Sequence, residues 1–93
     1  MREVRLIMTA AEKKPRTIEV LDLQSGETVS SAAITHTPPS GSAVTMTPTV
    51  STPNIHFVLG AFTVLGTHIV DVQATGSAAT ASKPVVRYII EVK

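Results

Sequence analysis

The three histidines, His36, His56 and His68, are the residues with the widest chemical repertoire, because an imidazole can bind a metal or transfer a proton. A structural zinc site takes four ligands, and a catalytic one takes three plus an open position. The histidines are widely spaced, and Asp71 follows His68 by three positions, which on a strand places the two side chains on opposite faces. We therefore expect no metal site, and we interpret His68 as a partly buried ring in the place of an aromatic side chain.

A hydrolytic triad could be assembled on paper from Ser31, His68 and Asp71. The same alternation along a strand separates His68 from Asp71, and the sequence has no G-x-S-x-G nucleophile turn. It also has no pair of acids placed for glycoside cleavage and no phosphate-binding loop. Asp22, Glu27 and Asp71 are too scattered for a calcium loop. We expect a protein that is not an enzyme and binds no cofactor or metal.

Composition narrows the class of protein. The chain has 93 residues, enough for one domain, and a net charge of +1, which argues against nucleic acid as the main partner. It has no cysteine, so it forms neither a disulfide framework nor a thiolate metal site. Neither a convincing signal peptide nor an apolar run of about 20 residues is present. Because the sequence opens on Met and closes within a predicted strand, we expect a complete small protein.

The segment from Gly66 to Lys93 is predicted to form a β-hairpin, which we expect to be the rigid centre around which the other strands are placed. Apolar side chains alternate along both halves, as in half-buried strands. A hairpin centred on Ala79 places apolar residues opposite one another on one face and opposite charges on the other. The predicted inner pairs are Val72 with Val86, Val70 with Tyr88 and His68 with Ile90, and the predicted outer pairs are Asp71 with Arg87 and Ile69 with Ile89.

Short segments between turn signals predict the other strands. They are Arg2 to Thr9 (an edge strand or an extended arm), Arg16 to Leu23 with a bulge or a switch of sheet near Leu21, Thr28 to Thr37 with Ser30, Ala32, Ile34 and His36 inward, Val44 to Val50, and Ile55 to Leu59. Ala11 to Pro15 is expected to be a loop, and Gln24 to Glu27 a turn in which Gly26 has a positive φ. Pro48 restricts its strand to a sheet edge. About seven strands without a helix predict an all-β, antiparallel two-sheet sandwich, with residues 1–15 as arm or edge strand and loop and residues 16–93 as the domain.

Three stretches of the sequence resemble small immunoglobulin-like virion proteins of tailed bacteriophages. They are LQSGETVSSAAI, FVLGAFTVLGTHIVDVQAT and VVRYIIEV, separated by a threonine-rich stretch and a small-residue turn. Those proteins carry a GETISS element, an L-S-G-G-T-A-G-T loop before an alternating strand, and a short closing strand. The matching residues are Gly26, Glu27, Thr28, Ser30, Ser31, Leu59, Gly60, Thr63 and Thr67, and the departures are Ala61, Phe62, Val64, Leu65 and His68. The resemblance implies an immunoglobulin-like β-sandwich in a virion, assembled in the host cytoplasm, without catalytic residues.

The loop from Gly60 to Gly66 is the most informative candidate site. Phe62 or Leu65 could close the end of the core. Alternatively, Phe62, Val64 and Leu65 could form an apolar contact with a neighbouring subunit, because an exposed apolar patch of this kind marks an interface. Both roles can coexist, since three apolar side chains cannot all point inward from so short a loop.

The N-terminal segment supplies a second candidate interface. Its basic residues form either a solvated face or an electrostatic contact with an acidic shell protein. Ile7 lies on the polar face, and an unpaired N-terminal strand would be a template for pairing with a neighbour. The candidate residues here are Arg2, Arg5, Ile7, Lys13 and Lys14, and Arg16 belongs to the same basic cluster.

These features favour a protein that acts by contact. The expected partners are other virion proteins (a major capsid, neck or tail protein), with copies of the chain forming a homo-oligomer or a symmetric array and with neither nucleic acid nor membrane bound. The function that we expect is decoration of a head shell, or a part of the neck or tail. The alternative is an immunoglobulin-like module that binds carbohydrate or a host surface, and such modules use exposed aromatic side chains. Only Phe57, Phe62 and Tyr88 are available for that purpose.

Overall fold

The computed structural model describes residues 2–20, 26–77 and 85–93 of the chain. Within these ranges the regular structure consists of strands, and no helix is present. The eight strands are β1 (Arg2–Met8), β2 (Lys14–Glu19), β3 (Val29–Thr37), β4 (Val44–Met46), β5 (Thr49–Ser51), β6 (Asn54–Leu59), β7 (Gly66–Gly76) and β8 (Val85–Val92). The all-β fold expected from the sequence is confirmed in the part of the chain that is described.

The larger sheet has the strand order β1-β8-β7-β3-β4. The β7–β8 hairpin has the predicted register: Val70 pairs with Tyr88, and Asp71 pairs with Arg87 on the opposite face. The N-terminal segment is an edge strand of this sheet, since β1 runs parallel to β8 with Val4 beside Tyr88. The first and last strands of the described chain are therefore neighbours.

Strand β3 pairs antiparallel with β7 and carries an irregularity near its start. The register shifts between Val29 and Ser31, so Ser30 is an extra residue on its strand. The prediction that Ser30 points inward is wrong, because the shift places Val29 in the core and leaves Ser30 exposed. Ile34 is buried and Ala32 is half-buried, as the alternation predicts.

The smaller sheet has the order β2-β6-β5 and is antiparallel. Lys14 and Pro15, which we expected in a loop, begin strand β2 at the edge of this sheet, where the missing N–H of proline is tolerated. The single edge strand predicted from Val44 to Val50 is two short edge strands. The chain leaves the larger sheet after Met46 and enters the smaller one at Thr49.

The two sheets enclose one apolar core. It is formed by inward side chains of both sheets, and Phe57 of the smaller sheet meets Tyr88 of the larger one edge to face, with ring centroids 5.7 Å apart. The alternation in β6 is confirmed, because Ile55, Phe57 and Leu59 are all buried. With only three aromatic residues in the chain, aliphatic side chains fill most of this space.

Some predictions fall outside the described residues. They concern the bulge or sheet switch near Leu21, the first half of the Gln24 to Glu27 turn, and the turn centred on Ala79. Gly26 itself has a φ of 79°, as expected for that turn. A search of the described residues for a helix long and apolar enough to span a membrane found none.

Candidate functional site

The loop from Gly60 to Gly66 lies at one end of the two-sheet body, beside the connection between β1 and β2. The Ala11 N–H donates to the Phe62 carbonyl (3.1 Å), and the Lys93 N–H donates to the Met8 carbonyl (3.0 Å) at the same end. Gly60 has a φ of 100°, and a Cβ on it would clash with the Glu12 carbonyl oxygen. A glycine is therefore required where the loop passes the β1–β2 connection.

Phe62 anchors this loop in the core. Its side chain is 6% exposed and stacks on His68, with ring centroids 4.8 Å apart, and its ring is tilted against that of His36, with centroids 4.7 Å apart. The planes of the two imidazoles are inclined by only 17°, and the rings meet edge to edge through their nitrogens, with centroids 5.1 Å apart. We call Phe62, His36 and His68 the ring cluster. His68 is 2% exposed, so it is fully buried, whereas the sequence predicted partial burial.

A chain of hydrogen bonds connects the ring cluster to the loop backbone. His68 Nε2 lies 2.7 Å from the Val64 carbonyl oxygen, and His68 Nδ1 lies 2.8 Å from His36 Nε2. A carbonyl only accepts, so His68 donates from Nε2, and its Nδ1 accepts the proton of His36 Nε2 when His68 is neutral. This arrangement fixes the tautomers of both rings and holds the loop at Val64.

The ring cluster favours the neutral form of His36. Burial of the His36 ring, and secondarily its proximity to His68, lowers the pKa of His36 from its ordinary value of 6.5. A proton taken up at Nδ1 of His36 would leave the hydrogen bond between the rings in place, because His36 donates to His68 from Nε2.

The loop residues after Phe62 point to solvent. Val64 is 48% exposed and Leu65 is 62% exposed. We call these two residues the apolar tip. Because Phe62 and the Val64 carbonyl are both held by the ring cluster, the apolar tip is presented on an anchored backbone. One side chain of the loop therefore closes the end of the core and two face outward, and the contact of these two with a neighbouring subunit stays a prediction.

The candidate residues of the N-terminal segment do not form one cluster. Arg2 and Arg5 are exposed on β1, and Arg2 lies beside Val86, at the end of the strand remote from the 60–66 loop. Ile7 is 67% exposed near the loop end. Lys13 is exposed in the β1–β2 connection. The structure thus brings Ile7 and the two lysines Lys13 and Lys14 to the end of the body that carries the apolar tip.

Lys14 and Arg16 are less available for contact with another protein, because Lys14 has an ion-pair partner within the chain and Arg16 is partly buried. Lys14 Nζ lies 3.3 Å from a Glu12 carboxylate oxygen. Arg16 lies on the inner face of β2, and its buried Nε has no hydrogen-bond partner. Burial raises the pKa of Tyr88, and the positive charges of Arg16 and Arg2 oppose that shift. Arg16 is therefore partly a core-lining side chain, with its aliphatic stem against the interior.

A tight turn orders the β1–β2 connection. The Glu12 N–H donates to the Thr9 carbonyl (3.2 Å), and the Thr9 N–H donates to the Glu12 carboxylate (3.0 Å). This second bond, with a smaller contribution from Lys14, lowers the pKa of Glu12. Ala11 occupies the turn position with a φ of 67°, a conformation that glycine adopts more easily.

The arrangements considered for catalysis and metal binding are not assembled. Asp71 lies on the outer face of β7, where Arg87 donates to it from Nε (2.8 Å) and Nη2 (3.2 Å), while His68 is buried inside. This bidentate pair raises the pKa of Arg87. No group of three or more His, Cys, Asp or Glu able to hold a metal is found in the described parts of the chain. Phe57, Phe62 and Tyr88, the only aromatic residues, are all buried.

The contact between His36 and His68 was not found by sequence reasoning. It depends on the β3–β7 register, in which His36 pairs with Val70 and lies diagonal to His68. A search for inward histidines on adjacent strands could have found it only if that register had been known. His56, the third histidine, is exposed and bonds to the Thr17 hydroxyl (2.8 Å).

Comparison with known proteins adds no family assignment. Neither a scan against models of protein families nor a search of curated proteins found a match to this chain.

Proposed function

We propose that this chain is a non-enzymatic structural protein of a tailed-phage virion, with an immunoglobulin-like β-sandwich that binds the head shell, the neck or the tail through subunit contacts. The observation that carries the proposal is the exposed apolar tip, Val64 and Leu65, on a loop anchored by the ring cluster. Covering an exposed apolar side chain such as Leu65 with a partner lowers the free energy of the complex, and an anchored backbone loses little entropy on binding.

The order of the strands supports the immunoglobulin-like part of the proposal. In that fold, strands B, E and D share one sheet, and strands G, F and C share the other, which strand C′ can extend. In chain order, β2 to β8 can be matched to strands B, C, C′, D, E, F and G. The observed orders β2-β6-β5 and β8-β7-β3-β4 then correspond to B-E-D and G-F-C-C′, the orders of that fold. The step between sheets from β4 to β5 falls where strand C′ would pass to strand D.

Charge near the apolar tip supports contact with an acidic surface. Lys13 is exposed at the same end of the body, close to Gly60. A positive charge beside a small apolar patch directs encounter with a negatively charged shell, and the apolar contact then limits dissociation. Each such contact is weak, but many copies on a symmetric shell, linked to one another, would bind firmly through multivalency.

The proposal is tested on virions produced from the genome that encodes this chain. Purified particles should contain the chain in a fixed ratio to the major capsid or tail protein, measured by quantitative mass spectrometry. Antibody labelling in the electron microscope should place it on the head, neck or tail. Particles without the chain would overturn the proposal.

A matched pair of variants tests the role of the apolar tip. Leu65→Ser should fold normally and be lost from the particles, because it removes the larger exposed apolar side chain of the tip. Val58→Ser is the control, since Val58 is an apolar side chain that is 45% exposed on β6 and does not belong to the apolar tip. If both variants are incorporated like the wild type, the apolar tip is not the contact.

A further inference from the structure

We propose that two copies of the chain pair through strand β1. The two β1 strands run antiparallel about a two-fold axis at Val4, so that two five-stranded sheets become one sheet of ten strands. The partner is a second copy of this chain. The inference goes beyond the virion role, because a dimer of this kind forms whether or not the chain binds a shell.

The first step is that β1 is the one described edge suited to strand addition. The other edge strands are protected, since β4 and β5 have three residues each and β2 contains Pro15. Short edge strands and proline are devices that block edge-to-edge pairing. β1 has seven residues without proline, and β8 covers only one of its two edges.

The second step is geometric. A two-fold axis perpendicular to the sheet keeps the inner faces of both copies on the same side. Residues opposite each other across the axis then share a face, and the axis passes beside one residue of β1. Side chains of β1 alternate, with Val4, Leu6 and Met8 toward the core and with Glu3, Arg5 and Ile7 outward. The candidate registers are therefore few and can be compared one by one.

The third step is the pattern of charge. With the axis at Val4, Glu3 of each copy lies opposite the partner's Arg5, which gives two reciprocal ion pairs on the outer face. An axis at Glu3 would oppose two glutamates, and an axis at Arg5 would oppose two arginines. An axis at Leu6 would place Arg5 opposite the partner's Ile7. Only the register centred on Val4 matches unlike charges.

The inner face is compatible with the same register. Val4 is half-buried against the core, and in this register it meets the partner's Val4 across the axis. Leu6, also half-buried, meets the stem of the partner's Arg2. Within the chain Glu3 lies beside Arg87, whose guanidinium donates from two nitrogens to Asp71. On the outer face of β1 itself Arg5 is the arginine, and in this register it lies opposite the partner's Glu3.

The contacts across the proposed β1–β1 interface play two different roles. Main-chain hydrogen bonds and the Val4 contact stabilise the pair, and the exposed ion pairs select its register. Reversing one charge converts two attractive cross-strand pairs into two repulsive ones. It should therefore raise the dissociation constant of the dimer by roughly 10- to 100-fold.

The experiment uses two single variants and their mixture, measured by sedimentation equilibrium on the full chain. Arg5→Glu and Glu3→Arg should each be monomeric at concentrations where the wild type is dimeric. Mixed together, they should form a heterodimer, because both of its cross-strand pairs unite opposite charges. The double variant Glu3→Arg/Arg5→Glu should dimerise like the wild type.

Controls separate pairing through β1 from a general effect of charge. Lys13→Glu and Glu19→Arg make the same changes of charge at exposed residues outside β1 and should leave the dimer intact. Circular dichroism of each variant should match the wild type. A monomeric wild type, or two single variants that stay monomeric when mixed, would overturn the inference.

Discussion

At the scale of single residues, the ring cluster couples the protonation of a histidine to folding. His36 is half-buried between Phe62 and His68, and burial lowers its pKa below 6.5. The unfolded chain therefore binds more protons than the folded chain at pH values between the two pKa values. The free energy of unfolding must therefore fall as the pH drops through the range between the two pKa values. Above that range His36 does not change it.

The pH dependence of stability is the first prediction. Urea unfolding followed from about pH 8 to about pH 5 should show a free energy of unfolding that falls below about pH 6.5. His36→Gln should flatten this slope, because the amide nitrogen can still donate to His68 Nδ1 but does not titrate. His56→Gln, at the exposed histidine, is the matched control and should keep the contribution of His36. Equal slopes for His36→Gln and the wild type would contradict the assignment.

The second prediction separates the anchor of the 60–66 loop from its apolar tip. Phe62→Ser should lower the free energy of unfolding by about 3–5 kcal/mol or more, because it removes a buried ring and leaves a cavity beside two imidazoles. Leu65→Ser, at an exposed position of the same loop, should change it by about 0.5 kcal/mol or less. Chemical denaturation measures both, and similar losses would show that Phe62 is not the anchor.

At the scale of elements, the Thr9–Glu12 turn uses a residue that does not suit it. Ala11 has a φ of 67°, where a Cβ costs about 1–2 kcal/mol relative to the right-handed region. The turn is kept because Glu12 accepts the Thr9 N–H and Ala11 donates to the Phe62 carbonyl. Tertiary contacts therefore impose this conformation on the alanine.

The third prediction follows from that strain. Ala11→Gly should raise the free energy of unfolding by about 0.5–1 kcal/mol, the relief of strain less the entropy that glycine adds to the unfolded chain. Ala10→Gly, in the same turn but without a positive φ, should be neutral or destabilising. Thermal unfolding of the two variants checks the difference, and an opposite ranking would contradict it.

The elements differ in how far sequence could predict them. The β7–β8 register was predictable because both strands alternate over many residues and only one alignment pairs Asp71 with Arg87. The orientation of Ser30 was not, since a bulge changes the alternation without a marker in the residue types. The two alanines of the Thr9–Glu12 turn carry no turn signal. The ring cluster, which anchors the candidate site, depends on a pairing between strands distant in sequence.

At the scale of the whole molecule, the N-terminal strand is part of the body and not an appendage to it. Met8 is 1% exposed, and β1 contributes Val4 and Leu6 to the margin of the core. It also completes the larger sheet along β8. A chain of this size has little stability to lose, about 5–15 kcal/mol in total. An interface test that deletes this strand would therefore remove the fold together with the interface.

The fourth prediction concerns that deletion. Removal of residues 1–10 should leave the chain largely unfolded, or without the slowly exchanging amides of β8, as seen by circular dichroism and hydrogen exchange. Met8→Ala, which leaves the strand in place, should cost about 2–5 kcal/mol and keep the fold. A truncated chain with native exchange protection would show that β1 is dispensable.

The parallel pairing of β1 with β8 also has a consequence for synthesis on the ribosome. The strand made first can dock only after the strand made last has left the exit tunnel, so β1 waits unpaired while the strands between them are translated. During that interval the β8 of a neighbouring chain, once it has left its own exit tunnel, presents an equivalent docking edge. Exchange of N-terminal strands between chains is thus in kinetic competition with closure of each chain on itself, and dense polysomes favour the exchange.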